Sequence, residues 1–154
     1  MNPIYHSATS GDFEQLVELR IDAMKESLMA IGRFNRERSV ERYKSTFRPE
    51  ETKIIKNESD TIGFIAVSEK EDHLYLDHLY IAPSFQSSGV GSWAIKRLID
   101  ISERKKIPIR LGALKTSKSN EFYQRHGFEI THEDEFDIYY ERKTLSEQDA
   151  SPNR

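Results

Sequence analysis

The hydrophobic period of this chain changes repeatedly, and the order of those changes restricts the fold more than any other feature. Phe13, Leu16, Val17, Ile21, Met24 and Leu28 recur at three- and four-residue spacing, and Val40, Tyr43 and Phe47 form a second such stripe. That spacing lines one face of a helix. Three runs follow, "TKIIKN", "TIGFIAVSE" and "HLYLDHLYIA", separated only by "ESD" and "KED". They are rich in β-branched and aromatic residues and read as strands, and connections this short favour antiparallel hairpins. "GVGSWAIKRLIDISERKK" then restores the helical period.

The remaining elements follow from punctuation. "PIYHSAT" is a short strand, and Thr9 or Ser10 sits where a helix N-cap belongs. The first helix ends near Gly32, and the second runs from about Arg36 to Phe47, with Pro49 just beyond as a stop. "IPIRLGAL" is a strand opened by Pro108, "SKSNEFYQRH" a short helix closed by Gly127, and "FEITH" and "FDIYYERK" the last two strands. The order β-α-α-β-β-β-α-β-α-β-β predicts an α/β (α+β) domain with a mixed sheet and helices on both faces. The strand–QSSGVG–helix–strand unit predicts a right-handed crossover, so strands four and five are expected to be parallel neighbours.

With 154 residues the chain is expected to form one domain, over 1–143, followed by a polar tail over 144–154, "TLSEQDASPNR", expected to be disordered. It has no cysteine, which excludes disulfides, thiolate metal sites and thiol catalysis and suits a reducing cytoplasm. The first residues lack a basic stretch followed by an apolar one, and no apolar run approaches the roughly 18 residues needed to span a bilayer. A net charge of −3 gives no overall pull toward nucleic acid or an acidic membrane, and neither is expected as a partner. The five histidines, His6, His73, His78, His126 and His132, contain no H-E-x-x-H pair, so no metal is expected.

The stretch Gln86-Ser-Ser-Gly-Val-Gly91 places two glycines, two serines and no acidic residue between a strand and a helix. One reading is a tight turn that needs glycine only for its geometry. The other is an anion seat. The first N–H groups of a helix have no intrahelical partner and carry the positive end of its dipole. Gly89 and Gly91 remove the Cβ atoms that would hold a phosphate away, Ser87 and Ser88 add hydroxyl donors, and Gln86 closes the loop or touches the ligand. The dinucleotide fingerprint fails for want of a third glycine, and the P-loop fails because Ser92 and Trp93 follow Gly91.

"LYIAPSFQSSGVGSWAI" resembles the acetyl-CoA signature of the GNAT superfamily of N-acetyltransferases, a loop written Gln/Arg-x-x-Gly-x-Gly/Ala. "SNEFYQRHGFEI" resembles the family's Tyr-x-x-x-Gly-Phe segment. The element order is similar to that fold over about residues 2–143. The resemblance implies that acetyl-CoA is a co-substrate. It implies that the backbone of Leu79, Tyr80 and Ile81 pairs with the pantetheine and that the amides of Gln86, Ser87, Ser88, Gly89, Val90, Gly91 and Ser92 wrap the pyrophosphate. Strands four and five are expected to splay, with the thioester in the gap. Two departures stand out. Ser87 and Ser88 occupy positions where many members carry a basic residue. The family's asparagine after strand five has no clear equivalent, its place falling to Ser117, Ser119 or Asn120.

Acetyl transfer requires a neutral amine, a donor for the developing oxyanion and a proton for the departing thiolate. The resemblance puts Tyr123 on the tyrosine that many members use as general acid; its other reading is an aromatic packed beside Phe122. For the base, Asp77 and His78 lie just before the pairing segment and point to opposite faces of a strand. An imidazole, with an ordinary pKa of about 6.5, suits a base at neutral pH better than a carboxylate at about 3.9. His78 as a hydrogen-bonded core residue, Asp77 as an ion-pair partner and a water relay to Glu135 are the other readings. The oxyanion donor is expected to be a backbone N–H near Leu79 or Tyr80. Arg20, Met24, Leu28, Arg33 and Phe34 with Tyr139 and Tyr140 are expected to frame the acceptor. The two arginines hint at an acceptor with a carboxylate, although ordinary surface arginines are the preferred reading.

The expectation is therefore direct transfer from acetyl-CoA to the primary amine of a small molecule or peptide, by a monomer or homodimer. The alternatives are a non-catalytic acyl-CoA-binding regulatory module and an interaction domain in which the loop is only a turn.

Overall fold

A computed structural model describes residues 1–149. The elements are β1 (Pro3–Ser7), α1 (Phe13–Ala30), α2 (Arg36–Thr46), β2 (Thr52–Asn57), β3 (Asp60–Glu69), β4 (Leu74–Ile81), α3 (Val90–Lys105), β5 (Ile109–Leu114), α4 (Ser119–Arg125), β6 (Glu129–Glu133), β7 (Asp137–Arg142) and α5 (Leu145–Asp149). Up to β7 this is the order expected, and the strands form one mixed sheet in the order β1-β2-β3-β4-β5-β7-β6. The chain divides into two compact units, 1–67 with 78–92, and 68–77 with the chain from 93 on.

In the first unit, the backbone N–H and the hydroxyl of Thr9 both donate to the Asp12 carboxylate, at 2.8 and 3.1 Å, fixing the chain's entry into α1. Asn35 caps α2, its side chain accepting from the Arg38 N–H at 2.9 Å. The apolar stripes of α1 and α2 meet the sheet: Leu16, Val17, Leu19, Ile21 and Tyr43 form one buried cluster with Ile54 of β2 and Phe64 of β3. β1 and β2 are antiparallel, as are β2 and β3, with an irregularity between Ile55 and Lys56. Gly63 of β3 is dictated by close approach, because a Cβ there would lie 2.6 Å from the Tyr80 carbonyl oxygen of β4.

In the second unit, β4 and β5 are parallel, Leu74 opposite Ile109 and Tyr75 opposite Arg110, as the crossover argument requires. β7 pairs antiparallel with both β5 and β6. Leu74, Leu76, Ala94, Ile95, Leu98, Ile109, Leu111, Tyr123, Phe128 and Tyr140 are among its buried apolar residues. α4 terminates where the Gly127 and Phe128 N–H groups donate to the Gln124 and Tyr123 carbonyls, both at 3.1 Å.

The tail differs from expectation. Thr144 is buried, Leu145–Asp149 form a helix, and the Leu145 N–H donates to the Glu103 carboxylate at 3.0 Å. A carboxylate at the first N–H groups of a helix offsets the lack of apolar surface that made this stretch read as unstructured. The rest of the expected tail, 150–154, lies outside the described residues.

Candidate active site

The segment expected to seat the anion leaves β4 and enters α3 through exposed backbone. Gln86, Ser87, Ser88 and Gly89 are all exposed. The Gln86 side-chain amide donates to the Ile81 carbonyl at 3.1 Å, so it closes the loop, one of the two uses foreseen for it. The Ser88 hydroxyl turns back onto the Phe85 carbonyl. Ser87 and Gly89 both have left-handed backbone, at φ 64° and 91°. That conformation is natural for glycine and costly for most other residues. A Cβ on Gly89 would meet nothing within 4 Å, so this glycine serves the path of the backbone and leaves open space beside it. The 16-residue α3 then begins at Val90, with no acidic residue in its first turn. Open space, an uncharged loop and the positive end of a long helix fit a diphosphate.

His78, on β4, is half-buried. Its Nε2 lies 3.3 Å from the Thr46 hydroxyl and its Nδ1 3.4 Å from the Tyr80 hydroxyl. Its ring meets Tyr43 edge-on at 5.2 Å and Phe64 at 6.2 Å. Burial, with the charge of Arg20 adding to it, pushes its pKa down to about 4. The side chain is therefore neutral at pH 7, with each ring nitrogen facing a hydroxyl. Asp77 is exposed and accepts from the Ser68 hydroxyl at 2.6 Å.

In the second unit, Tyr123 is 7% exposed, its ring packed on Phe128 at 5.5 Å and Tyr140 at 6.2 Å, and edge-on to Phe122 at 5.3 Å. The aromatic packing weighed for it is real and fixes the ring's orientation. Asn120 is the centre of the turn between β5 and α4: its amide nitrogen donates to the Leu114 and Ser117 carbonyls, both at 2.8 Å, and its oxygen accepts from the Tyr140 hydroxyl at 2.7 Å. Ser117 and Ser119 pair through their hydroxyls at 2.6 Å. The same turn borders an open concavity of about 540 Å³ that Lys115, Gln124 and Ile138 also line.

Some acceptor-framing expectations change. Tyr139 and Tyr140 alternate along β7: Tyr140 is buried, while Tyr139 is half-buried, donates to Asp134 at 2.9 Å and stacks on His132 at 4.5 Å. Arg33 is exposed, as a surface arginine should be. Arg20 is not a surface residue but is 5% exposed. Its position in the stripe with Leu16, Val17 and Ile21 was the available signal. Thr46 and Tyr43, which surround His78, were missed as neighbours because nothing local in a sequence brings a helix to a particular strand position. Among the described residues no group of three or more histidine or acidic side chains is arranged to hold a metal, and no helix is long and apolar enough to cross a membrane.

The model of the acetyltransferase (GNAT) family matches residues 14–128. A comparison with curated proteins found no significant match. Among solved structures, PaiA N-acetyltransferase from Thermoplasma acidophilum, in complex with coenzyme A, is similar at a TM-score of 0.74 and 20% identity, over 93% of this chain and 99% of that one. The ribosomal-protein-S18-alanine N-acetyltransferase from Escherichia coli is similar at 0.71 and 14% identity, over 99% of both chains. Ard1 from Thermoplasma volcanium is similar at 0.67 and 17%, over 94% of this chain and 99% of that one. At these identities the likeness is one of fold.

Proposed function

The chain belongs to the GNAT acetyltransferase family, and on that premise we propose that it transfers an acetyl group from acetyl-CoA directly to a primary amine. The observation that carries this reading is the exposed, carboxylate-free loop Gln86–Gly89 at the mouth of α3, with Gly89 in left-handed backbone and open space beside it.

Bound acetyl-CoA supplies an activated thioester carbonyl. The amides of Ser87 to Ser92 hold the diphosphate through their N–H groups and the helix dipole, whereas the Gln86 N–H, expected to join them, is spent on the Pro83 carbonyl at 3.3 Å. The backbone of Leu79, Tyr80 and Ile81 aligns the pantetheine arm as an added strand would. An N–H of Leu79 or Tyr80 steadies the oxyanion. Asn120 holds the turn after β5, and with it the start of α4, in one conformation.

An ammonium with a pKa of about 10.4 must lose a proton before it can attack. His78, neutral at pH 7, accepts that proton without first giving one up. Its low basicity means that it holds the proton only briefly before giving it to solvent; Asp77, on the opposite face of β4 and bonded to the Ser68 hydroxyl, is the alternative base. Tyr123 donates to the leaving sulfur. A phenol of pKa about 10 giving a proton to a thiolate of about 8.5 is slightly uphill, so a fixed ring is what the step needs. The absence of cysteine supports direct attack over a thioester relay on the enzyme.

The test is release of free CoA thiol from acetyl-CoA in the presence of small amines, amino-acid derivatives, aminoglycosides and peptides with free N-termini, with products weighed by mass spectrometry. Amine-dependent release with a matching N-acetyl product is expected. CoA binding with no amine-dependent release across the panel would overturn catalysis in favour of an acyl-CoA-sensing module.

A further inference from the structure

Arg20 carries a charge in the wrong place for a structural residue. It lies in the apolar stripe of α1 with Leu16, Val17 and Ile21 and is itself only 5% exposed. One nitrogen, Nη1, reaches the Ser39 carbonyl at a long 3.4 Å. Its Nε is buried with no partner, and among the described residues no carboxylate pairs with it. One turn along α2 from Ser39, the hydroxyl of the fully buried Tyr43 is likewise without a partner. The two belong to one neighbourhood, since the guanidinium's charge acts on both Tyr43 and His78.

A buried charge without a counter-ion destabilises a fold, and each unmatched buried donor adds to that cost. Methionine or leucine would fill the Arg20 position at no such cost. The Arg20 Nε can only donate, and the Tyr43 hydroxyl has a proton to donate. Their complement is a group that only accepts and carries one negative charge, which describes a carboxylate. His78 stands beside them, its ring 5.2 Å from that of Tyr43, and Thr46 at the edge of the cluster is exposed.

We propose that the acceptor amine carries a carboxylate, received by the Arg20 guanidinium and the Tyr43 hydroxyl next to His78. The substrate class is then an amino acid or another amine bearing a carboxylate close to the nitrogen. This assignment rests on the acetyl-transfer reading and narrows it.

The experiment compares each of the twenty common amino acids with its carboxamide, on wild type, Arg20→Met and Tyr43→Phe, by thermal shift and by CoA release. At least one free amino acid is expected to raise the Tm of wild type while its amide does not. Its kcat/KM advantage over the amide, tenfold or more, is expected to collapse toward unity in Arg20→Met and to fall about fivefold in Tyr43→Phe. Without ligand, Arg20→Met is expected to melt at the wild-type temperature or above. Equal effects of acid and amide, a preference that survives in Arg20→Met, or a large drop in that variant's unliganded Tm would make Arg20 a structural residue and overturn the proposal. The two readings fail separately. Carboxylate-dependent stabilisation without CoA release from any acceptor would remove the transferase reading alone, and acetylation of amides as fast as acids would remove this one alone.

Discussion

The Tyr140 hydroxyl donates to the Asn120 side-chain oxygen at 2.7 Å, tying the buried face of β7 to the turn that launches α4. Asn120 spends its amide nitrogen on two carbonyls of the same turn. Tyr140→Phe removes one bond of this set, and Asn120→Ala removes all of its side-chain bonds and leaves the hydroxyl of the buried Tyr140 without its acceptor. The expected costs are about 1 kcal/mol for Tyr140→Phe and about 2–3 kcal/mol for Asn120→Ala, read from urea unfolding midpoints at unchanged m-value.

Tyr123→Phe keeps the ring that packs on Phe128 and Tyr140 and removes only the hydroxyl. CoA affinity is expected to stay within about twofold of wild type, while kcat falls by roughly 10²–10⁴, the usual contribution of a positioned acid. Calorimetry and CoA-release kinetics on the same preparation check this. A kcat equal to wild type across the pH range would take Tyr123 out of the mechanism.

His78 makes a pH prediction with a definite sign. Its folded pKa of about 4 lies below the ordinary 6.5 of the unfolded chain, so the unfolded state binds the proton first as pH falls. The stability contributed by its neutral form is complete above about pH 6.5 and is lost as pH drops toward 4, a span worth on the order of 3 kcal/mol at most. Between those pH values His78→Gln is expected to lose less stability than wild type. With His78 as the base, the acid limb of kcat/KM falls near pH 4, not near 6.5. A limb near 6.5 that persists in His78→Gln would assign the proton to another group.

The loop before α3 separates backbone shape from charge. Gly89→Ala forces a Cβ into φ 91° with no steric clash, so a loss of about 1 kcal/mol and weaker CoA binding are expected together. Ser87→Glu is expected to leave the unliganded Tm unchanged and to weaken CoA about tenfold by repulsion, which Ser87→Gln would not do. Thermal melts with and without CoA distinguish the two effects.

Much of this architecture was readable from periodicity. The shift from the α1 and α2 stripes to three β-rich runs, and back to the helical pattern at Val90, gave every element through β7 in order, and the handedness of crossovers gave the parallel β4–β5 pair. The site was readable only where chemistry is local, as in the glycine spacing of QSSGVG. The charge of Arg20 argues for exposure, whereas its place in the apolar stripe argues for the burial the structure shows. The bonds of Asn120 depend on a turn conformation, and the approach of Thr46 to His78 depends on how a helix lies on a strand. Neither has a local signature. Leu145 reads as the start of a loose tail because its anchor, Glu103, is 42 residues away in the chain.

The account turns on peptide nitrogens at the start of α3 gripping a diphosphate. Calorimetric titration with coenzyme A, set against pantetheine, which lacks the diphosphate and nucleotide, addresses this directly. The prediction is saturable binding of coenzyme A and binding of pantetheine at least a hundredfold weaker, with the gap narrowed in Ser87→Glu. Equal affinity for the two, or no heat with coenzyme A at millimolar concentration, would contradict it.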